Sequence, residues 1–249
     1  MSTQLEVRAA GTLLNMEAIA DAAEALAANY GEGASLKEND LIRIIMPSGG
    51  ATAWQVPGIN GVESCTALEG VIVNVAERGI LWPSAEPAEG TLPVLVTHDM
   101  IHAHSVSDEV PDWLVDDLES AWDAEKGCYI WNDLPQTKFG SGREGSGKYA
   151  TEQKVLFLMR PGYPLPCVVT VSAGSIKVWR EFVKSLTNAG LPYYRAIVSI
   201  GLSKQKNEGG QPYSQLTFAI NGQLPREEAI QLRKEIGLKM VDVANSAFV

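Results

Sequence analysis

Between Lys138 and Lys206 the chain places eleven Lys or Arg residues against only Glu144, Glu152 and Glu181. Phe139, Tyr149, Phe157, Tyr163, Trp179, Phe182, Tyr193, Tyr194 and Tyr213 lie among or beside these cations. Cations that follow phosphates and flat rings that stack on bases are what binding a single strand requires, each stacked base contributing roughly 1–3 kcal/mol. Periodicity sorts the rings. Trp179 and Phe182 fall on the apolar stripe of a helix, and Phe157 falls in an apolar run, so all three are expected in the core. Lys177, Arg180 and Lys184 recur at i, i+3 and i+7 and form a basic stripe on the opposite face. Tyr193 and Tyr194, followed by Arg195, are adjacent on an expected strand, so one ring faces out if the other faces in. The ligand-facing candidates are Phe139, Tyr149, one of the Tyr193/Tyr194 pair, and Tyr213.

Two polar loops add to this set. Residues 138–148 (KFGSGREGSGK) carry Lys138, Arg143 and Lys148, and residues 204–211 (KQKNEGGQ) carry Lys204 and Lys206. The stretch from Gly142 to Tyr149 approaches a phosphate-binding P-loop. That motif needs Ser or Thr after its lysine to hold magnesium, and Tyr149 stands there instead. No buried strand precedes it, so nucleotide hydrolysis is not expected, although its backbone N–H groups can still meet phosphates.

His98, His102 and His104 are all the histidines of the chain, with Asp99 and Cys128 nearby. Imidazole and thiolate are zinc ligands, so His98, His102, His104 and Cys128 form a candidate metal set. Their spacing matches no specific zinc motif, and a chance cluster in a loop is the competing account. No Ser/His/Asp or Cys/His signature is visible and no carboxylates pair for catalysis, so the chain is not expected to be an enzyme.

The elements that must position these residues follow from composition and patterning. The chain has 249 residues, 45% hydrophobic, with a net charge of −10. The charge is unevenly distributed: residues 1–133 carry 22 acids and 5 bases, residues 134–249 carry 8 acids and 15 bases. Polyanion affinity follows the local field, so an acidic average does not exclude nucleic acid. No run of 18 apolar residues suggests a membrane span. The opening residues lack a signal-peptide pattern, and three scattered cysteines argue against a disulfide framework, which points to a reducing cytoplasm.

Asn15 is placed to cap a helix with Ile19, Ala22, Ala23, Leu26 and Tyr30 on one side and Gly31 as its stop. Leu41–Met46 reads as a strand with Thr52–Val56 as its hairpin partner. Ala67–Val75 is a stronger strand that Glu77-Arg78-Gly79 turns towards Ile80–Trp82. Residues 83–135 read as an acidic insertion with a strand at Leu92–Thr97 and a short helix capped by Asp112. Beyond residue 150 the order becomes strand (155–159), strand (167–171), helix (175–188), strand (193–202) and strand (213–220). A last helix spans 225–244, opened by Pro225. The fold class this implies is α+β, mostly β. It is a single domain with an OB-like barrel core built from about 67–82 and 150–222, in which a helix joins the third strand to the fourth.

The segments VLFLMRPGYPLPCVVTVSAGSIKVWREFVKSL and GLPYYRAIVSIGLSKQKNEGGQPYSQLTFAINGQLPREEA resemble a family of phage and mobile-element proteins that bind single-stranded DNA. Weaker echoes are DLIRIIMPSGG, GVIVNVAERGILWP and KFGSGREGSGK. Together these touch about half the chain. Related sequences carry several cysteines in the middle that look like a zinc site, whereas this chain keeps only Cys128 there. The resemblance implies non-catalytic DNA binding in phage or plasmid replication or recombination. The expected partners are single-stranded DNA, replication or recombination proteins met through the acidic region, and further copies of the chain. Two other readings stand beside it. One is a metal-dependent nucleic-acid enzyme using the His98–His104 cluster, and the other is an acidic interaction protein that imitates the charge of DNA.

Overall fold

A computed structural model describes residues 5–14, 22, 24–25, 28–29, 31, 35–58, 60–145, 147–207 and 209–247. The helix expected after Asn15 lies largely outside the described residues; Ala22, which is described, is buried. The strands are β1 (Arg43–Ile44), β2 (Trp54–Gly58), β3 (Gly61–Cys65), β4 (Ala67–Leu81), β5 (Leu95–Thr97) and β6 (His102–Ser105). They continue with β7 (Trp122–Asp123), β8 (Cys128–Ile130), β9 (Thr151–Met159), β10 (Cys167–Val171), β11 (Ala196–Lys206) and β12 (Pro212–Gln223). The helices are α1 (Ala10–Leu13), α2 (Val115–Ala121), α3 (Ala173–Asn188), α4 (Arg226–Leu232) and α5 (Lys239–Asn245). The chain divides into two compact units, Met1–Val75 with Val155–Ala244 and Ala76–Lys154 with Asn245–Val249.

In the first unit the strands lie in the order β1-β10-β9-β4, and β11 pairs with both β4 and β12. β4 and β11 are antiparallel with Ile197 opposite Val71, and β11 and β12 are antiparallel along their whole length. The fold is therefore mixed α+β and mostly strand, but among the described strands the sheet does not close into a barrel. Two features account for the open seam. The free edge of β10 is taken by β1, which runs parallel to it with Arg43 opposite Val168. The space between β10 and β12 is filled by α3, whose Trp179, Phe182 and Leu186 pack with Val169, Val171, Val198, Ile200 and Leu216 in one core. Phe218 of β12 stacks on Phe182 at 4.9 Å and meets Trp179 edge-on at 5.4 Å, which seats the helix against that strand.

Thr52–Val56 was expected to pair with Leu41–Met46. Instead β2 pairs with β3, Trp54 opposite Cys65. Trp54 ties this hairpin to the core by donating its indole N–H to the Ile200 carbonyl at 2.9 Å. Gly70 of β4 sits where a Cβ would come within 2.1 Å of the Met159 carbonyl oxygen, so the close approach of β4 to β9 requires a residue without a side chain. The terminal helix expected over 225–244 is interrupted by a π-turn at Arg233–Gly237, between α4 and α5. Gly237 closes that turn against β4, where a Cβ would stand 2.4 Å from the Val73 carbonyl oxygen.

The second unit has its own core of Leu81, Val94, Leu95, Ala103, Leu114, Leu118 and Trp131. Its strands follow the order β4-β5-β6-β8-β7, every pair antiparallel. Glu77-Arg78-Gly79 was expected to turn the chain. In the structure β4 runs straight through it to Leu81, with Arg78 only 2% exposed and Gly79 packed under the Trp131 ring. Asp112 begins a 3-10 turn, Asp112–Leu114, that leads into α2.

Candidate nucleic-acid interface

The first unit holds nine of the fourteen expected contact residues. Lys177, Arg180 and Lys184 are exposed along α3, opposite the face that buries Ser175, Trp179, Phe182 and Leu186. Among the described residues, Lys184 has only a long 4.0 Å contact with Glu181. Lys204 and Lys206 are exposed at the end of β11. The turn beyond them is built, not slack: Gln211 N–H donates to Asn207 Oδ1 at 2.8 Å, Asn207 N–H donates to the Gln211 carbonyl at 3.0 Å, and Gly210 takes a positive φ of 77°. The stem of Lys204 crosses Gly50, where a Cβ would be 2.8 Å from Lys204 Cγ. Half-buried Tyr213 lies over Gly174 at the start of α3, and Gln215 Nε2 donates to the Gly174 carbonyl at 2.7 Å. Tyr213 thus reaches the first turn of the helix that carries Lys177, while in the β11–β12 register it stands opposite Gln205, on the other face of the ladder from Lys204 and Lys206.

Tyr193, Tyr194 and Arg195 are not on a strand. They form a 3-10 turn before β11, and all three are half-buried. Arg233 of the π-turn covers both rings, 5.5 Å from the Tyr193 centroid and 4.7 Å from that of Tyr194, and donates to the Tyr193 hydroxyl at 2.9 Å. Arg195 Nε donates to the Leu224 carbonyl at 2.9 Å. These three residues dock the C-terminal helices. The sequence reading missed Arg233 because nothing nearby in sequence links it to the tyrosine pair.

The second unit holds the other five. Arg143 pairs with Glu86 at 3.0 Å and Lys148 with Glu152 at 2.6 Å, while Lys138 donates to the Asn132 carbonyl. Phe139 is 84% exposed. Tyr149 is half-buried and meets Trp113 edge-on at 5.2 Å. The division into units also redistributes charge: the first carries 14 bases and 15 acids, the second 6 bases and 15 acids. The basic loop 138–148 thus belongs to the strongly acidic unit, where two of its three cations are already paired.

Arg160, at the end of β9, is a further residue that sequence reasoning passed over. It lies 5.1 Å above the Tyr163 ring, and its Nε and Nη1 are buried without a hydrogen-bond partner among the described residues. Burial beside it pushes the Cys167 thiol up to about 11, a shift that the Arg160 charge partly offsets, so this cysteine is an inert core residue.

The histidine segment is organised around Asp99. Its Oδ1 accepts from the backbone N–H of Ile101 (2.8 Å) and His102 (2.7 Å) and from the Thr97 hydroxyl (3.0 Å), while Oδ2 lies 2.7 Å from His102 Nδ1. This holds the tight turn between β5 and β6, in which Met100 adopts a positive φ of 62°. His104 is exposed two residues on, Cys128 is buried in β8, and among the described residues no three His, Cys, Asp or Glu side chains come together to hold a metal. No known protein family matches the chain, nor does any curated protein or solved structure.

Partial burial acts to raise the Asp99 carboxyl, but the hydrogen bonds from His102, Ile101 and Thr97 together hold it well below the usual carboxylate range. A carboxyl whose folded value is depressed contributes stability above its unfolded value, and that contribution is lost as pH falls through the folded one. Acidifying below about pH 4 is therefore expected to lower the melting temperature of the second unit more in the parent than in Asp99→Ala, which has no carboxyl there. Scanning calorimetry at pH 6 and pH 3 checks this; equal losses in both proteins would remove Asp99 from the account.

Proposed function

We propose that this chain is a non-catalytic single-stranded DNA-binding protein that acts in phage or plasmid DNA replication or recombination, with the strand lying on the first unit. The observation that carries this is the strand order of that unit. Taking β4 as first strand, β9, β10, β11 and β12 follow as second to fifth. The sheet then runs third, second, first, fourth, fifth, with a helix between third and fourth. That order suits an OB-like barrel opened at one seam, and OB barrels take oligonucleotides across strands two and three and the flanking loops. The loop between the fourth and fifth strands here is the Lys204–Lys206 hairpin, whose other face carries Tyr213 as a ring for stacking. Lys177, Arg180 and Lys184 add a further row of exposed cations along α3. Arg160, at the end of the second strand, offers buried N–H groups to a phosphate.

Five exposed cations in contact with a single strand give a salt slope of about −3.5, at roughly 0.7 per phosphate, so affinity for oligo-dT is expected to fall about a hundredfold between 50 and 200 mM salt. Fluorescence anisotropy with oligo-dT and a duplex of equal length tests the reading. Tighter binding of the single strand supports it, and equal binding to both, or none to either, refutes it. Changing Lys204 and Lys206 together to Ala is expected to flatten the slope by about 1.4 without altering the far-ultraviolet circular dichroism. An unchanged slope would place the DNA elsewhere.

A further inference from the structure

We propose that a cavity in the second unit, walled by Trp113 and Tyr149, binds an arginine side chain presented by a basic segment of a partner protein. The cavity measures about 590 Å³ and is lined by Pro83, Trp113, Pro135, Gln136, Ser141 and Tyr149 among others. It lies wholly within the second unit, and the proposal does not depend on the DNA reading.

Three independent observations select the ligand. The first is the shape of the walls. Trp113 and Tyr149 both line the cavity and meet edge-on, 5.2 Å apart at 68°, and Trp113 remains 48% exposed, so it still presents indole surface to a ligand. Ring faces are electronegative and attract a cation brought over them, Trp most strongly.

The second is an unused acceptor. Gln136 is only 7% exposed, and its Nε2 donates to Asp117 Oδ2 at 2.6 Å. That bond fixes the amide so that Oε1 is the remaining group, and Oε1 is buried with no hydrogen-bond partner among the described residues. A buried acceptor left unmet is destabilising, so the site is completed by a ligand that brings N–H donors. Gln136 supplies only an acceptor there, which a carboxylate or phosphate cannot satisfy.

The third is charge. Of the six bases in this unit, Lys126, Arg143, Lys148 and Lys154 are paired with Asp123, Glu86, Glu152 and Glu77, and Arg78 is buried. Among the described residues, its other acids include Asp112 and Asp116 beside Trp113, which have no such counterion. The field over the cavity therefore favours a cation and opposes a phosphate-bearing ligand. A cation that is flat, rich in N–H donors and weakly hydrated is a guanidinium, which suits these walls better than a lysine ammonium. The partner is a polypeptide and not a free small cation because the apolar surface continues. Trp122, 47% exposed, stacks edge-on with Tyr129 at 4.9 Å beside a second cavity lined by Val110, Val115 and Leu118. Half-exposed tryptophans next to apolar cavities are typical anchors of protein interfaces.

The test uses the full-length 15N-labelled chain titrated with N-acetyl-arginine methylamide and, separately, with its uncharged citrulline counterpart. The arginine compound is expected to shift the Trp113 indole and Gln136 side-chain resonances saturably, with citrulline at least tenfold weaker. Trp113→Ala, at a half-exposed position that the core does not need, should abolish the shifts, and Gln136→Leu should weaken them at least fivefold. Equal response to both compounds, no saturable response to either, or shifts that survive Trp113→Ala would overturn the proposal. So would a saturable response to deoxycytidine monophosphate in place of arginine, which would assign the cavity to a nucleobase. Oligo-dT affinity of Trp113→Ala is expected to equal that of the parent. A parent chain that binds arginine but not oligo-dT refutes the DNA reading alone.

Discussion

Replacing Trp54 with alanine is expected to unfold the first unit. Trp54 is fully buried in β2, in the same core as Leu68, Val198 and Ile200. Truncating a buried Trp to Ala costs about 3–5 kcal/mol through lost burial and the cavity left behind. The indole N–H that reaches the Ile200 carbonyl is lost as well, and a buried carbonyl deprived of its donor costs about 1–3 kcal/mol more. The sum is comparable with the whole stability of a typical domain, about 5–15 kcal/mol. Trp54→Phe keeps most of the ring and loses only the hydrogen bond, so it should fold with a lower urea midpoint. Urea titrations of parent, Phe and Ala variants, followed by circular dichroism, decide this. An Ala variant with a near-parental midpoint would show that the β2–β3 hairpin is not anchored through Trp54.

Gly79→Ala is expected to destabilise the second unit by the opposite error, too much volume. A Cβ at residue 79 would stand 2.4 Å from Trp131 Cζ2 and 2.6 Å from Thr97 Cγ2. Neither neighbour has room to retreat, because Trp131 and Thr97 are both fully buried. Overpacking of this kind costs about 1–3 kcal/mol, and 1 kcal/mol lowers the melting temperature of a unit this size by about 4–8 °C. Calorimetry should show the transition of the second unit moved down by at least about 4 °C while that of the first unit stays in place. A variant that melts like the parent would mean that the strand bends at residue 79 to make room.

The same glycine shows where the sequence could be read and where it could not. Cys167–Val171 was legible to the residue, and α3 to within two residues, because continuous apolar runs and a clean helical stripe depend only on local pattern. Glu77-Arg78-Gly79 was read as a turn because charge and glycine usually mark one. Here the glycine is needed for Trp131, which lies more than fifty residues away and cannot be inferred from local pattern. Tyr193 and Tyr194 were misplaced on a strand for a similar reason: Arg233, which holds them, is contributed by a π-turn, itself set by the contact of Gly237 with Val73. In the candidate site, the stripe Lys177, Arg180 and Lys184 and the exposed Lys204 and Lys206 followed from periodicity. The pairing of Arg143 and Lys148 with acids did not, because Glu86 in particular is brought to Arg143 only by the tertiary fold.

The two strands that pass between the units have a consequence for how the chain reaches its native state. Contacts along β4 and β9 run in opposite directions. Gly70 approaches Met159, and seven residues further along β4, Glu77 is paired with Lys154. Gly70 and Met159 are therefore separated in sequence by the whole of Ala76–Lys154. If that stretch were still random coil, each doubling of its length beyond a short hairpin turn would add about 0.6 kcal/mol to the entropy of closing it. Once the second unit has folded, Glu77 and Lys154 are already side by side, and the first unit sees a preformed turn in place of a long loop. This topology is expected to favour folding of the inserted segment before the β4–β9 pair closes. A slower recovery of the first unit in Gly79→Ala would be the kinetic trace of that order.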